Sequence, residues 1–568
     1  MEKNHLAGYA VLAATALVVA GCGGLGKMDK YASTIKHTVE PDPLIVQGDT
    51  VHVNINGNFP GKYFYRKAQV ELTPAVTWSG GEAPLKMAGF QGDKAAGNYT
   101  VVPYESGKAF SYSDKVAYKP AMAESQLMLN ILGKQGSKEK PFTAVKLADG
   151  VITTPYLVQS DDRVIIGADK FVRVTTHSAD ATINYLVASD VVRPTELQDK
   201  DVKDVAAFVK AGMKNPRITW KGVTIDAWAS PEGEVHMNEN LAEKRANSGK
   251  RWIQGVLAAN KVDTKAAGFY TLNPRGEDWD GFKTAIQASN FSDKDLVLRV
   301  LEMYPDVNRR EQEIKNMAAT YKEIADGILP KLRRSEIKVV YEVNGYSDEE
   351  LTALSKSNPD TLKIEEILKA ATLTSDLNEQ LRIYREAERM YPQDWRTANN
   401  VGYVLFQQGK SAEAEAQFQK ANGIQNNPVS SNNLGVIARQ KGDRAKAAEL
   451  FAKATDAGAD VKYNQGIIAI QNGNYAAANS SMSGQNTFNA ALAKMLGGDA
   501  AGAGTILSNS PDKDSAMGHY LAAIIAARTN NGEGVRSNLA AAVAKDASLG
   551  AKARKDLEFR NYKDNLGF

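Results

Sequence analysis

The stretch Val223–Gln254, VTIDAWASPEGEVHMNENLAEKRANSGKRWIQ, changes period halfway, and that change decides the fold around it. Val223 and Ile225 alternate with Thr224 and Asp226, which sets the aliphatic pair on one face of a half-buried strand. Ser230-Pro231-Glu232-Gly233 then breaks the chain, proline fixing φ at the second turn position and glycine giving freedom at the fourth. From about Asn238, the residues Leu241, Ala242, Arg245, Ala246, Gly249, Trp252 and Ile253 fall three and four apart, one face of an amphipathic helix. Arg245 stands inside that stripe, where a charge needs a partner or water.

The succession strand, turn, Asn-x-x-Leu-x-x-x-Arg-Ala, carried by Asn238, Leu241, Arg245 and Ala246, resembles the OmpA-like C-terminal domain, the periplasmic module that grips peptidoglycan. The resemblance implies that Arg245 and an acid at the strand end hold the peptide stem of the cell wall. At the family's acidic position this chain has Ser230, in AWAS where the family usually has Gly-His-Thr-Asp. Asp226 and Glu232 are the nearby acids that could substitute. Thr182-Ile183-Asn184-Tyr185 reads as a strand near the start of the domain, and Leu197, Val202, Val205, Ala206 and Val209 mark a helix after Pro194-Thr195. Ile337–Tyr341, preceded by Arg333-Arg334, resembles the family's closing strand. An α+β domain is therefore expected over residues 181–345, with a mostly helical insertion over 261–334. It resembles the longer variant whose turn carries Ser-Pro-Glu-Gly.

Toward the N-terminus, residues 22–48 read as a linker, with Pro41 and Pro43 near its end. Residues 49–151 carry VHVNI at 51–55, AQVELTPAVTW at 68–78, NYTVV at 98–102 and LMLNI at 127–131, with Asn56-Gly57 and Gly80-Gly81 as punctuation. No helical period interrupts them, which predicts an antiparallel β-sandwich of immunoglobulin-like type. Short strands are expected to connect it, over 152–180, to the α+β domain.

Residues 361–568 turn helical and repeat. Gly402, Gly409, Ala414, Phe418 and Ala421 recur 33 residues later as Gly435, Gly442, Ala447, Phe451 and Ala454, and Gly466 and Gly473 follow at 31. Small residues let two helices cross closely while the aromatic fills the space between them, and this period with these residue types resembles the tetratricopeptide repeat. An all-α solenoid of four to six repeats is expected, ending in a charged cap near 551–568. Asn400, Asn433 and Asn464 hold one place, two residues before the repeat glycine. The resemblance implies that they bond the backbone of an extended peptide in the concave groove, and that the repeats bind a protein partner.

Leu6–Ala20 is an uncharged apolar run of fifteen residues, shorter than the ~20 a membrane-spanning helix needs. It ends in Val19-Ala20-Gly21-Cys22, which resembles a bacterial lipobox, so residues 1–21 are expected to be a lipoprotein signal peptide. Cys22 is the single cysteine and the expected lipid acceptor. No acidic cluster follows it through Met28, so the expected location is the periplasm-facing leaflet of the outer membrane. Lys and Arg number 69 against 66 Asp and Glu, a balance that offers no electrostatic footprint for nucleic acid.

The six histidines show no i,i+3 or i,i+4 pair, and there is no Gly-x-Ser-x-Gly or Walker loop. No catalysis, metal or cofactor is expected. The sequence thus predicts a non-catalytic scaffold linking the outer membrane to peptidoglycan or a protein complex. The alternative is an interaction subunit of an envelope secretion or assembly machine whose OmpA-like domain no longer binds the wall.

Overall fold

The computed structural model describes residues 24–568. The apolar run and Cys22 lie outside the described residues. The chain forms two compact units: one runs up to Gly167 and resumes over Pro392–Phe568, and the other is Ala168–Tyr391.

In the first unit, strands fill residues 36–150: β1 (Lys36–Glu40), β2 (Val46–Gln47), β3 (Thr50–Pro60), β4 (Gln69–Trp78), β5 (Gly81–Pro84), β6 (Ala88–Gly92), β7 (Thr100–Val102), β8 (Gly107–Ala117), β9 (Ser125–Gln135), β10 (Lys138–Pro141) and β11 (Val145–Gly150). One sheet has the order β1-β3-β2, with β8 also on β3; the other runs β10-β9-β4-β6-β7, with β11 on β9 and β5 on β4. Strict alternation along β3 buries Val51, Val53, Ile55 and Phe59. These side chains share cores with Val70, Leu72 and Val76 of β4 and with Leu127, Leu129 and Ile131 of β9. The β6–β7 pair is parallel, so the sheets are not wholly antiparallel.

Residues 24–48 are not a linker. The helix Gly24–Lys30 buries Leu25 and Met28 against the sandwich core, and β1 pairs with β3 from Lys36↔Asn58 to Glu40↔Asn54. The sequence hid this because the helix is only seven residues long and β1 alternates without a strong apolar run.

The same unit contains five helical hairpins: Trp395–Gln407 with Ser411–Ile424, Pro428–Gln440 with Arg444–Lys453, Ala459–Gln471 with Tyr475–Ser481, Phe488–Leu496 with Ala500–Ser508, and Ala516–Arg528 with Gly532–Lys545. Glycine is required where the helices of a hairpin cross. A Cβ on Gly402 would lie 2.7 Å from the Phe418 ring, and one on Gly435 would lie 2.6 Å from the Phe451 ring. Sandwich and helices are not separate bodies within this unit. Gln47 Nε2 donates to Gly473 O at 2.9 Å, and Arg444 and Arg560 pair with Asp49 and Asp42.

The second unit is built on a sheet of β12 (Val174–Asn184), β13 (Ile218–Ala229), β14 (Tyr270–Glu277) and β15 (Arg334–Asn344), in the order β12-β15-β13-β14. Only β13 and β14 are parallel. The helices Lys200–Gly212 and Val235–Ala259 supply Val205, Val209, Ala246, Ile253 and Leu257 to a core shared with Val223 and Ile225 of β13 and Ile337 and Val339 of β15. The domain begins earlier than residue 181, since β12 starts at Val174, and no strand forms over 152–173. Residues 261–334 are not all insertion: β14 belongs to the sheet, and the helical part is Trp279–Leu332, with its own core around Phe282, Ile286 and Ile324.

Candidate functional site

The described residues place the two sets of candidate side chains in different units, and each set can be built up from its own elements.

In the solenoid unit, the first helix of each of the first four hairpins presents an asparagine to an extended segment of the same chain, residues 159–167. Asn400 Oδ1 accepts from the Gly167 N–H at 2.7 Å and Nδ2 donates to Gly167 O at 2.9 Å. Asn433 holds Ile165 in the same two-way fashion, at 2.7 and 2.8 Å, and Asn464 holds Arg163 at 2.9 and 2.8 Å. A primary amide carries one donor and one acceptor side by side, which is the pair that one residue of a β-extended backbone presents on one edge. These three hairpins therefore read residues two apart in the segment. All three asparagines are fully buried, and each sits on a helix whose buried face the segment completes.

Several partners were not singled out from the sequence. Asn489 is a fourth clamp, accepting from the Gln159 N–H at 2.8 Å and donating to Gln159 O at 2.9 Å. It follows Asn464 by 25 residues, the same shortened offset that separates Gly498 from Gly473, and that offset was the available signal. Asn399 and Asn432, each next to a clamp, donate to Ile165 O and Arg163 O, and the doublets Asn399-Asn400 and Asn432-Asn433 were visible. The side chains of the segment are held as well. Asp162 is enclosed with Arg439 as an ion pair, their side chains 0% and 4% exposed. Asp161 accepts from the Tyr463 hydroxyl, and burial raises the Asp161 carboxyl above its ordinary range despite that bond. The Arg163 guanidinium stacks 3.9 Å from the centre of the Tyr463 ring and pairs with Asp460 at 3.0 Å.

In the sheet unit, β13 ends at Ala229, the turn follows, and the helix Val235–Ala259 begins three residues before Asn238. Arg245 is 1% exposed and spends its guanidinium on backbone: Nε donates to Ser189 O at 3.0 Å, Nη1 to Trp228 O at 2.9 Å and Nη2 to Leu186 O at 3.1 Å. Burial, then the charge of Arg333, pushes its pKa down to about 10. Ser230 and Glu232 turn to Arg333 instead, whose Nε donates to Ser230 Oγ at 3.2 Å and to Glu232 Oε1 at 2.8 Å. Asp226 points from the strand face opposite Val223 and Ile225 and pairs with Arg275 at 2.7 Å. Among the described residues, neither acid forms an ion pair with Arg245.

Asn238 Nδ2 donates to Glu277 Oε1 at 2.7 Å, and Trp279 Nε1 donates to the other oxygen at 2.9 Å. Glu311 of the inserted helix Val307–Asn316 is buried beside Glu277. Its carboxyl is pushed up to about 7, by burial first and by the Glu277 charge second. Asn238 is thus bonded to Glu277, and Ser230 and Glu232 to Arg333; among the described residues none of the three side chains is hydrogen-bonded to the Arg245 guanidinium. Among the described residues no group of three His, Cys, Asp or Glu is arranged to hold a metal ion.

Residues 381–429 and 430–479 match the tetratricopeptide repeat family. The helices within residues 381–479 thus match tetratricopeptide repeats. No curated protein matches the chain. Solved structures similar to it include PilF of Pseudomonas aeruginosa, 14% identical, covering 38% of this chain and 98% of that one with a TM-score of 0.28. A tetratricopeptide repeat protein from Parabacteroides merdae is 15% identical and covers 44% of this chain and 100% of its own, with a TM-score of 0.27. PilW, a type IV pilus biogenesis factor, is 18% identical over 38% of this chain and 97% of its own, with a TM-score of 0.26.

Proposed function

We propose that the protein is a non-catalytic scaffold of the bacterial envelope that serves as an interaction subunit of a secretion or assembly machine. A lipidated Cys22 would hold it at the periplasmic face of the outer membrane. The repeats support the interaction role, since tetratricopeptide repeats are a protein-binding architecture. The sheet order of the second unit, with its long helix after β13, is in keeping with the OmpA-like resemblance.

One observation favours an interaction subunit over a wall anchor: all three nitrogens of Arg245 already donate to backbone carbonyls, in a side chain 1% exposed. A guanidinium that grips a stem-peptide carboxylate needs a free two-pronged face. Presenting such a face here would mean moving a side chain that is 1% exposed off three backbone carbonyls it now holds.

Co-sedimentation of the purified mature protein with purified sacculi tests this. The protein is expected to stay in the supernatant, and saturable retention that Arg245→Lys abolishes would restore the wall-anchor reading. Fractionation of cells carrying Cys22→Ser tests the anchor. Lipid chains contribute ~0.8 kcal/mol per buried CH₂, and among the described residues no helix is long and apolar enough to cross a membrane. The variant is expected in the soluble fraction; salt-resistant membrane retention would refute lipidation as the anchor.

A further inference from the structure

The groove contacts use one edge of the segment 159–167. In an extended chain the N–H and C=O of one residue point to the same side, and those of its neighbours to the other. Gln159, Arg163, Ile165 and Gly167, the residues held by asparagine, are all odd-numbered and turn one edge to the solenoid. The N–H and C=O of Ser160, Asp162, Val164 and Ile166 face the other way. Among the described residues none of these groups has a hydrogen-bond partner. Ser160 is exposed, and Asp162, Val164 and Ile166 are half-buried. An unpaired row of this kind is what an edge strand presents, and an uncovered edge is a template for another chain.

This edge is also pre-set. The asparagine clamps, the Asp162–Arg439 pair and the packing of Val164 and Ile165 on the core around Val436 and Phe451 hold the segment extended before any partner arrives. A strand already ordered loses little further conformational freedom when a second strand joins it.

We infer that the outer edge of residues 160–166 is a docking surface for an extended segment of another protein, which adds to it as a β-strand. The class of partner follows from hydrogen-bond complementarity. Donors and acceptors recurring every second residue, ~7 Å apart, are matched along their length by another extended backbone. A helix, whose own backbone groups are already paired internally, offers no such row. The inference rests on the scaffold reading and names its contact.

The experiment uses the purified full-length mature chain and a fluorescent peptide of alternating threonine and valine with lysine ends. A second peptide is identical but N-methylated at every other amide. Fluorescence anisotropy is expected to show saturable binding of the first peptide and at least about tenfold weaker binding of the second, the loss of one or two hydrogen bonds. Val164→Pro and Ile166→Pro each delete one outward N–H while leaving the asparagine-held residues unchanged, and each is expected to weaken binding by a similar factor. Val164→Thr keeps the backbone donor and is expected to bind like wild type. Slow amide exchange at Arg163 and Ile165 verifies that the segment stays clamped in each variant. Equal binding of the two peptides, no binding of either, or undiminished binding by both proline variants with the segment still clamped overturns the inference. The peptide comparison needs no variant, so misfolding of a proline substitution leaves the test intact. Since no sacculi or membranes are involved, a negative result leaves the scaffold reading standing.

Discussion

Asn400, Asn433 and Asn464 in the solenoid and Arg245 in the sheet unit are all buried polar side chains, and all of them end on backbone of their own chain. They differ in what they bring to it. The amide has a donor beside an acceptor, so each asparagine satisfies both groups of one segment residue and keeps the segment extended. The guanidinium has donors only, so Arg245 gathers three carbonyls from two separate stretches, at Leu186, Ser189 and Trp228. The repeated neutral contact organises a segment hundreds of residues away in sequence, whereas the single charged contact ties together a turn region nearby. The family role of each residue type would have both facing outward to a ligand. Here the chain supplies the ligand in one case and removes the need for one in the other.

The comparison can be broken most forcefully at Arg245. Arg245→Ala takes the donor from three backbone carbonyls and leaves a cavity where a side chain 1% exposed stood, and is expected to destabilise the sheet unit by ~3–5 kcal/mol. Hydrogen exchange of β13 and β15 amides reads this; a loss below about 1 kcal/mol would mean that the arginine is dispensable to the fold and free for a ligand.

Next in size is Asp162→Ala, which leaves the 4% exposed Arg439 side chain as an unpaired buried charge. A cost of ~3 kcal/mol is expected, with the segment 159–167 becoming a site of limited proteolysis. Unchanged protease resistance would show that the asparagines alone suffice to hold it.

Asn433→Ala removes both bonds to Ile165 and the one to Asn399, and ~2 kcal/mol is expected, confined to faster exchange at Ile165 and its neighbours. Global unfolding at this position would deny that the clamps act one at a time.

The smallest effect is expected from Glu311→Gln. The Glu311 carboxyl is raised in the folded state from 4.5 to about 7, so the protonated form is favoured by folding. Its contribution is fully present below about pH 4.5 and is lost as pH rises toward 7. Stability of the inserted helices is thus expected to fall over that range in wild type, by ~1–2 kcal/mol, and to be flat in the variant. A denaturation series against pH decides; a parallel slope in both proteins would assign the dependence to other groups.

Much of this was legible in the sequence. The alternation at Val223 and Ile225 and the three-and-four spacing through Arg245, Ala246 and Ile253 describe local geometry, so the strand and the helix stand where their periods put them. The 33-residue recurrence of Gly402 and Phe418 encodes a contact between neighbouring helices, which is why the solenoid could be read without a structure. The segment SDDRVII carries no such period and reads as an ordinary connector. Nothing local in it announces that Asp162 will meet Arg439, 277 positions on.

What the sequence by itself determined is therefore the strongly periodic elements and the recurring asparagines, because periodicity and spacing act over a few turns of chain. Only the tertiary structure decided what those polar groups hold. A buried amide or guanidinium must find complementary groups somewhere, and which backbone comes within ~3 Å of it depends on how distant segments pack. That packing brought Gly167, Ile165 and Arg163 to the asparagines, and gave Arg245 the carbonyls of Leu186, Ser189 and Trp228 in place of an acid.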